Sequence, residues 1–419
     1  MEADMNRDIS KHPCFNAEVK RRFGRIHLPV APKCNVQCNF CNRRYDCVNE
    51  SRPGVTSAVL SPKQALYYLT RMYERDNRLS VVGIAGPGDT FANPEESLET
   101  MSLVRETFPE MLLCVSTNGL AAPAYIDRLA EIGITHLTVT VNAVDAEIGA
   151  KIYAWVRDGT KIHRGPEAIE LLMQRQFETI RRCHEKGIVV KINSILITGI
   201  NDNHITDIAE AVSKLGADLF NCIPMFPVAG TDFESLPPSN SELIESVWAN
   251  CQEYLPQMLH CTRCRADATG CLGDKVPTSS IKLLQAVAAG PLNPQDNRPY
   301  VAVASHEGIL INEHLGRARH IWIYGPEGEN FKLIETRQTP PGGGDIRWRQ
   351  LSGLLRDCRA ILVSAAGSKP IEALRKSGIK VIIVEAMIEE VLRSIYENED
   401  LDKYKPRSMR CCSGGAGCA

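Results

Sequence analysis

Short apolar runs and longer amphipathic runs take turns along the first two thirds of the chain. Ser61-Pro62 opens a predicted helix, with Gln64 placed to complete a capping box and apolar positions continuing to Met72. A buried strand follows over 81–85 and runs into a glycine turn at Gly86 and Gly88. The rhythm then repeats. Helices over 95–107, 123–132, 166–186 and 205–215 each lead to a short apolar strand, beginning near Met111, His136, Gly187 and Ala217. One more helix is expected over 240–255. Such alternation predicts α/β organisation around a parallel sheet. Polar punctuation follows each strand, where a β/α barrel carries its active site. The units are too few for a complete eightfold barrel, so an incomplete barrel is expected.

The pattern changes beyond residue 272. Pro, Gly and Asn crowd around one helical stretch, "SSIKLLQAVAAG", and then a second rhythm begins near Tyr300. "VAVAS", "HIWIYG", "AILVSAAG" and "KVIIVE" read as strands. "IEALRKSG" and "MIEEVLRSIYEN" read as amphipathic helices. The expected organisation is a mostly irregular N-terminal segment over 1–30, a partial (β/α) barrel with a cysteine segment over 31–275, and a linker over 276–299. A small α/β domain over 300–400 and a tail over 401–419 follow. The tail holds Cys411, Cys412 and Cys418, and without periodicity it is expected to be disordered unless something binds its thiols.

Composition narrows the function classes. Among 419 residues, 48 basic side chains face 50 acidic ones, a formal charge of −2. No basic field suited to nucleic acid follows from that balance. No apolar run has the length of a membrane helix, and the polar N-terminus is no secretory signal, so a cytoplasmic location is expected. Sixteen cysteines in a reducing compartment read as metal ligands, catalytic thiols and small buried residues rather than disulfides. Cys183, Cys222, Cys251 and Cys358 fall in helical or strand-like contexts and read as packing residues.

The chemistry concentrates in "APKCNVQCNFCNRRYDC". Cys34, Cys38 and Cys41 stand at C-x3-C-x2-C, with Cys47 six residues on. A structural zinc site asks for four ligands in paired spacing. Three thiolates on a [4Fe-4S] cubane leave one iron free for another ligand. Zinc and a chance grouping of thiols are the alternatives. Phe40, between two of the thiols, is placed to pack on a planar base. "GIAGPGD", with Gly86, Gly88 and Asp89, offers backbone that can approach a ligand where no Cβ intrudes. Cys261 and Cys264 form a separate C-x2-C flanked by Arg263 and Arg265, basic neighbours that favour thiolates. Cys114, within a strand, is either a barrel-mouth ligand or a core residue.

C-x3-C-x2-C ahead of β/α units is similar to the radical S-adenosylmethionine (SAM) superfamily. Within it the chain resembles the NifB family of nitrogenase cofactor biosynthesis, through "HPCFN", the run 28–57, "AGPGD", "CVSTNGL", "VNAVD" and "CTRCRADATG". The stretch "VAVASHEGILINEHLGRARHIWIY" resembles the small NifX-type cofactor-binding module. The resemblance implies a SAM-binding [4Fe-4S] cluster on Cys34, Cys38 and Cys41, and two further [4Fe-4S] clusters as substrates. Cys14 and Cys114, with His12, would hold one substrate cluster. Cys47, Cys261 and Cys264 would hold the other. It also implies methyl transfer from SAM, hydrogen abstraction and insertion of the carbon as carbide, giving an [8Fe-9S-C] precursor. Implied partners are cofactor scaffold or carrier proteins, iron–sulfur cluster donors and an electron donor.

Several roles remain open between function and structure. Glu50 and Asp89 are candidate bases or hydrogen-bonded carboxylates. Asn118 and Asn142 are candidates to orient SAM or to bond within loops. His12 is a ligand or a solvated side chain. Lys191 and Asn193 share a strand face that looks into the barrel. Cys271 is left unassigned. His306, His314 and His320 gather in the second domain beside Arg317 and Arg319, either a receiving site for the product or a solvated loop. "PPGGGD" is a glycine loop without the Lys-Ser or Lys-Thr of a phosphate loop. Two other readings stand beside the first: a radical SAM enzyme acting on a peptide or small molecule with auxiliary electron-transfer clusters, and a non-catalytic iron–sulfur carrier.

Overall fold

The architecture is that of a computed structural model describing residues 10–50, 54, 56–289, 298–328, 330–397, 399 and 401–406. The chain forms two units, divided between Ile281 and Lys282. In chain order, the first holds β1 (Gly24–His27), β2 (Val36–Cys38), α1 (Pro62–Tyr73), β3 (Leu79–Ile84), α2 (Pro94–Thr107), β4 (Leu112–Thr117), α3 (Ile126–Ile132), β5 (His136–Thr140) and α4 (Ala146–Ile152). It continues with β6 (Tyr153–Asp158), β7 (Lys161–His163), α5 (Gly165–Glu185), β8 (Val189–Leu196), α6 (Ile205–Ser213), β9 (Leu219–Pro224), α7 (Ser241–Gln252) and β10 (Thr269–Gly270). Helix α8 (Thr278–Ala289) spans the division.

The main sheet runs β10-β1-β3-β4-β5-β8-β9, parallel throughout except for β10. This is a curled half-barrel, and the incomplete barrel read from the sequence stands. Each strand turns one face to the helices and the other inward. In β4, Leu113 and Val115 are buried toward the helices, while Cys114 and Ser116 face the interior. All eight residues of β8 are buried, as a central parallel strand requires.

Local chemistry explains the boundaries. Helix α1 begins at Pro62 because the Ser61 hydroxyl accepts from Gln64 N at 3.3 Å while Gln64 Oε1 accepts from Ser61 N at 3.0 Å. The helix buries Tyr68, Leu69 and Met72. Glycine at 133 ends α3 in the left-handed region, with φ of 80°. The expected helix over 123–132 is broken in two, a 3-10 turn at Ala122–Tyr125 preceding α3.

Two features of the N-terminal half go beyond what the sequence suggested. The described residues 10–30 are mostly turn and loop, as expected, but they include β1, an interior strand of the sheet paired with β3 and β10. A separate three-stranded antiparallel sheet, β2-β6-β7, was not foreseen; it fixes Cys38 opposite Tyr153.

The second unit contains β11 (Tyr300–Val303), β12 (His320–Glu327), β13 (Asn330–Gln338), α9 (Gly344–Leu354), β14 (Cys358–Val363), α10 (Ser368–Lys376), β15 (Lys380–Ile383) and α11 (Ile388–Tyr396). Its sheet order is β13-β12-β11-β14-β15. Alternate residues of β11 serve two cores. Ala302 packs with Trp348, Leu351 and Leu374 on one face, and Val301 and Val303 with Val391 and Leu392 on the other. The end of "PPGGGD" is not loop: Gly344 and Asp345 form the first turn of α9. Among the described residues, no helix is long and apolar enough to cross a membrane.

Candidate iron–sulfur and SAM site

The cysteine loop is held from both ends. Gln37 Nε2 donates to the carbonyls of Cys38 (3.0 Å) and Cys41 (2.8 Å), and Arg43 donates to those of Cys34 (3.2 Å) and Val36 (2.6 Å). Cys34, Cys41 and Cys47 line one outer cavity with Gly88. Cys38 lies beneath it, 7 % exposed. Asn49 Nδ2 donates to both Cys38 Sγ (3.8 Å) and Cys47 Sγ (3.6 Å). Asn118 Nδ2 reaches Cys34 Sγ at 3.8 Å and Asn35 Oδ1 at 2.7 Å.

Burial pushes the Cys34 thiol up to about 11, with the Asp89 carboxylate adding to it. Burial raises Cys38 and Cys47 well above the ordinary thiol value, with neighbouring sulfurs acting the same way. Such sulfurs become thiolates only opposite a compensating cation. Among the described residues no three Cys, His, Asp or Glu side chains close on one point as a single ion requires. A cubane asks for something else, one thiolate for each iron corner. One buried thiol and two half-buried ones at a cavity, on one short loop, suit that demand.

The glycine turn also packs on the cysteine loop. Its amides do not point at open space: Gly88 N donates to Ala31 O (2.6 Å), Asp89 N to Lys33 O (2.8 Å), and Pro87 O accepts from Cys47 N (3.0 Å). A Cβ on Gly88 would lie 2.2 Å from Lys33 O. Glycine is needed there so that the turn can press against the cysteine loop. Gly86, at φ of 124°, occupies a conformation open to glycine. Asp89 is a buried hub. Its carboxylate accepts from Phe91 N, Ala92 N, Thr117 Oγ1 and Asn118 N. That arrangement is the structural one of the two open readings.

Phe40 and Asn142 are also in the interior. Phe40 is fully buried, 6.4 Å between centroids from Phe233, and lines neither cavity. Asn142 is fully buried, donates to Asn49 Oδ1 (3.1 Å), and accepts from Ile195 N (2.8 Å). It supports the Asn49 amide that reaches the two sulfurs.

A second, interior cavity lies within the half-barrel. His12, Cys14, Cys114, Cys261 and Cys264 line it, together with Glu50, Lys191, Asn193 and Asn221. These come from the N-terminal segment, the loop between β2 and α1, β4, β8, β9 and the segment after α7. Register aligns them: Ser116 lies beside Thr138, Thr138 beside Lys191, and Asn193 beside Asn221. The cavity volume is about 50 Å³. Cys47 stands on the outer cavity rather than this one.

Burial pushes the Cys14 thiol up to about 12 and the Cys114 thiol up to about 11, while the Lys191 ammonium acts against both shifts. Arg25, on β1, donates to Cys264 Sγ from Nε (3.3 Å) and Nη2 (3.0 Å). His12 is neutral, its pKa held well down by burial and by His136. Its Nδ1 accepts from Cys14 N at 3.2 Å, which leaves the ring proton on Nε2. Ligation through Nε2 therefore requires that proton to leave. Glu50 is pushed up to about 7 by burial, and its oxygens accept from Thr140 Oγ1 (2.9 Å) and Asn193 Nδ2 (3.0 Å).

Comparison with known proteins now bears on this arrangement. Residues 28–212 match the family model described as Radical SAM superfamily, and residues 297–398 match Dinitrogenase iron-molybdenum cofactor. A FeMo cofactor biosynthesis protein NifB from Chlorobaculum tepidum is 47% identical over 99% of this chain and 100% of the relative. The chain belongs to the NifB family. NifB of Klebsiella pneumoniae is 39% identical over 88% of this chain and 86% of its own, and NifB of Azotobacter vinelandii 35% identical over 93% and 88%.

As a NifB-family radical SAM protein, the chain is of the class that works with SAM and a [4Fe-4S] cluster. The polar residues on the cysteine sulfurs that were not singled out from the sequence are Asn49, Asn221 and Arg25. Each is a lone polar residue, and only the fold brings it onto a sulfur. Asn221 Nδ2 donates to Asn193 Oδ1 (2.9 Å) and Cys261 Sγ (3.5 Å). Cys271 is buried away from both cavities, its thiol donating to Arg21 O at 3.4 Å. Cys183, Cys222, Cys251 and Cys358 are buried as well. In the NifX-like unit His306 and His320 are exposed, and His314 Nδ1 accepts from Gly316 N at 2.9 Å. Cys411, Cys412 and Cys418 lie outside the described residues.

Proposed function

We propose that this protein fuses two [4Fe-4S] clusters around a carbon taken from SAM, adding one sulfur, to form the [8Fe-9S-C] precursor of the nitrogenase cofactor. The observation that carries this reading is the convergence of Cys14, Cys114, Cys261 and Cys264, from distant parts of the chain, on one interior cavity next to the C-x3-C-x2-C loop. An enzyme needing only SAM cleavage has no use for that second set of thiols.

Cys34, Cys38 and Cys41 would hold three irons of the resident cluster, and the clamp from Gly88 and Asp89 fixes their loop. When bound, that cluster and SAM supply reductive cleavage of the sulfonium to a 5′-deoxyadenosyl radical. Cys14 and Cys114, with His12, would hold one substrate cluster, and Cys261 and Cys264 the other. Cys47, whose thiol lines the outer cavity, would have to turn inward to serve as the third ligand of the latter. Bound in the site, SAM would supply the methyl group for a sulfide of the substrate and, from a second molecule, the radical that would remove a hydrogen atom from that methyl. Glu50, poised near 7, is a base for protons lost as the carbon becomes carbide. The NifX-like unit receives or shields the product before a scaffold or carrier protein takes it. Cluster donors and an electron donor act earlier, in the cytoplasm.

The test is a carbon label in the SAM methyl group. Anaerobic turnover with both substrate clusters present should leave the label in the extracted iron–sulfur product. Label confined to small-molecule products of SAM would sink the carbide assignment.

A further inference from the structure

The interior cavity contains two buried cations that the protein treats differently. Arg25 is committed: its guanidinium bonds Cys264 Sγ and the carbonyls of Gly270 and Cys271. Lys191 is not. It stands on β8, is 9 % exposed, and lines the cavity. Among the described residues its ammonium enters no hydrogen bond and no ion pair. The groups that face it electrostatically are Cys14, Glu50, Cys261 and Cys114.

An ammonium has three N–H donors, and on a cavity wall where no group among the described residues accepts from them they are available to whatever fills the cavity. Glu50 gives Lys191 no hydrogen bond; its oxygens accept from Thr140 and Asn193. The thiols around Lys191 are potential ligands for iron but poor acceptors while protonated. A thiolate-bound iron–sulfur core would answer both needs together. Its irons take the sulfurs of the wall, and its bridging sulfides accept hydrogen bonds.

We propose that Lys191 is a substrate-binding residue that holds an iron–sulfur cluster in the interior cavity by donating hydrogen bonds to its sulfides. The inference rests on the reading that this cavity holds substrate clusters. It adds a reason for sparse ligation. A cluster retained in part by an ammonium needs fewer covalent bonds to the protein, and is freer to join a neighbour.

The test uses the full chain with Cys34, Cys38 and Cys41 all replaced by alanine, so that bound iron reports the cavity alone. After anaerobic reconstitution with ferrous iron and sulfide, iron and acid-labile sulfide per chain are measured, with the rate of iron loss to a chelator. Introducing Lys191→Met should lower retained iron at least twofold and speed its loss, and Lys191→Arg should restore retention. The melting temperature of the iron-free chains is measured beside it, and Lys191→Met should melt close to its parent, so that lost retention is not lost folding. Equal iron retention and chelation rates in Lys191→Met and its parent would overturn the inference while leaving the cavity reading intact. A melting temperature lowered in step with iron retention, and not recovered in Lys191→Arg, would also overturn it, by showing a purely structural role. If the parent itself retains no iron, the cavity reading fails and takes this inference with it.

Discussion

Gly88→Ala isolates the clamp on the cysteine loop. The new Cβ would lie 2.2 Å from Lys33 O, 2.6 Å from Lys33 C and 2.9 Å from Pro32 O. All three are backbone atoms, so no side chain can swing aside. Reaching an ordinary contact of 3.4 Å from Lys33 O requires turn and loop to part by 3.4 − 2.2 = 1.2 Å. A parting of that size takes Gly88 N–Ala31 O from 2.6 Å, and Asp89 N–Lys33 O from 2.8 Å, beyond hydrogen-bonding distance. Two backbone bonds at about 1 kcal/mol each, with about 1–3 kcal/mol of overpacking, give a loss of roughly 3–5 kcal/mol. For a unit of this size that lowers the melting temperature by roughly 10 °C. The functional effect is sharper than the loss of stability. Cys34 follows Lys33 directly, and a misplacement near 1 Å at a reacting centre costs on the order of 100-fold in rate. The assay is 5′-deoxyadenosine formation after anaerobic reconstitution, with iron content and thermal unfolding on the same samples. Gly353→Ala is the control, since its Cβ meets nothing within 4 Å in α9; it should be neutral or stabilise by about 0.5–1 kcal/mol. If Gly88→Ala cleaves SAM at the wild-type rate and melts where wild type does, the turn is not a clamp.

Three further outcomes follow from the same geometry. Replacing Cys14 and Cys114 by serine, or Cys261 and Cys264, should each remove about four irons from a total near twelve per chain; unchanged iron in either variant removes that pair from the ligand set. His27 is held near 4 by burial against an ordinary 6.5, so below pH 6.5 the unfolded chain takes up a proton that the folded one refuses. Its contribution is full above 6.5 and is lost as pH falls toward 4, by about 3 kcal/mol at 1.36 kcal/mol per pH unit. His12 acts in the same direction, and His27→Gln should flatten the acid limb of stability against pH; parallel profiles would refute the assignment. In the second unit Arg337 grips Asp357 through two bonds of 2.6 Å, with Asp357 partly solvated. Asp357→Asn should cost about 1 kcal/mol after allowance for solvent screening, read by denaturant unfolding of that unit, and no loss would mean the pair is fully screened.

The fold was legible where local chemistry and burial agree. The capping box at Ser61 and Gln64 marked α1 to within a residue, and the apolar strands β3, β4, β8 and β9 announced the parallel sheet. Strand β1 was missed for a physical reason. Of its four residues, Arg25 and His27 point into the interior cavity, so no apolar run betrays it. The same inversion hides much of the site. A strand face that serves chemistry carries polar residues, and the hydrophobic pattern weakens there. The hairpin of β6 and β7 and the seven-residue α4 were too short to announce themselves by period.

Linear spacing identifies ligands only when one loop supplies them. Cys34, Cys38 and Cys41 were readable on that account. Cys47 was grouped with Cys261 and Cys264, yet its amide is bonded to Pro87 O and its thiol faces the outer cavity. What joins it to Cys261 is a chain of amides. Asn49 Nδ2 bonds the Cys47 sulfur, Asn193 Nδ2 bonds Asn49 O (3.0 Å), and Asn221 bonds both Asn193 Oδ1 and the Cys261 sulfur. No motif could disclose that chain, because it exists only where β8 and β9 align Asn193 with Asn221. Its amides donate to sulfur at both ends. Sulfurs lining separate cavities are thereby joined by neutral groups, while the cations of the interior cavity stand elsewhere on its wall, Arg25 on Cys264 and Lys191 on β8.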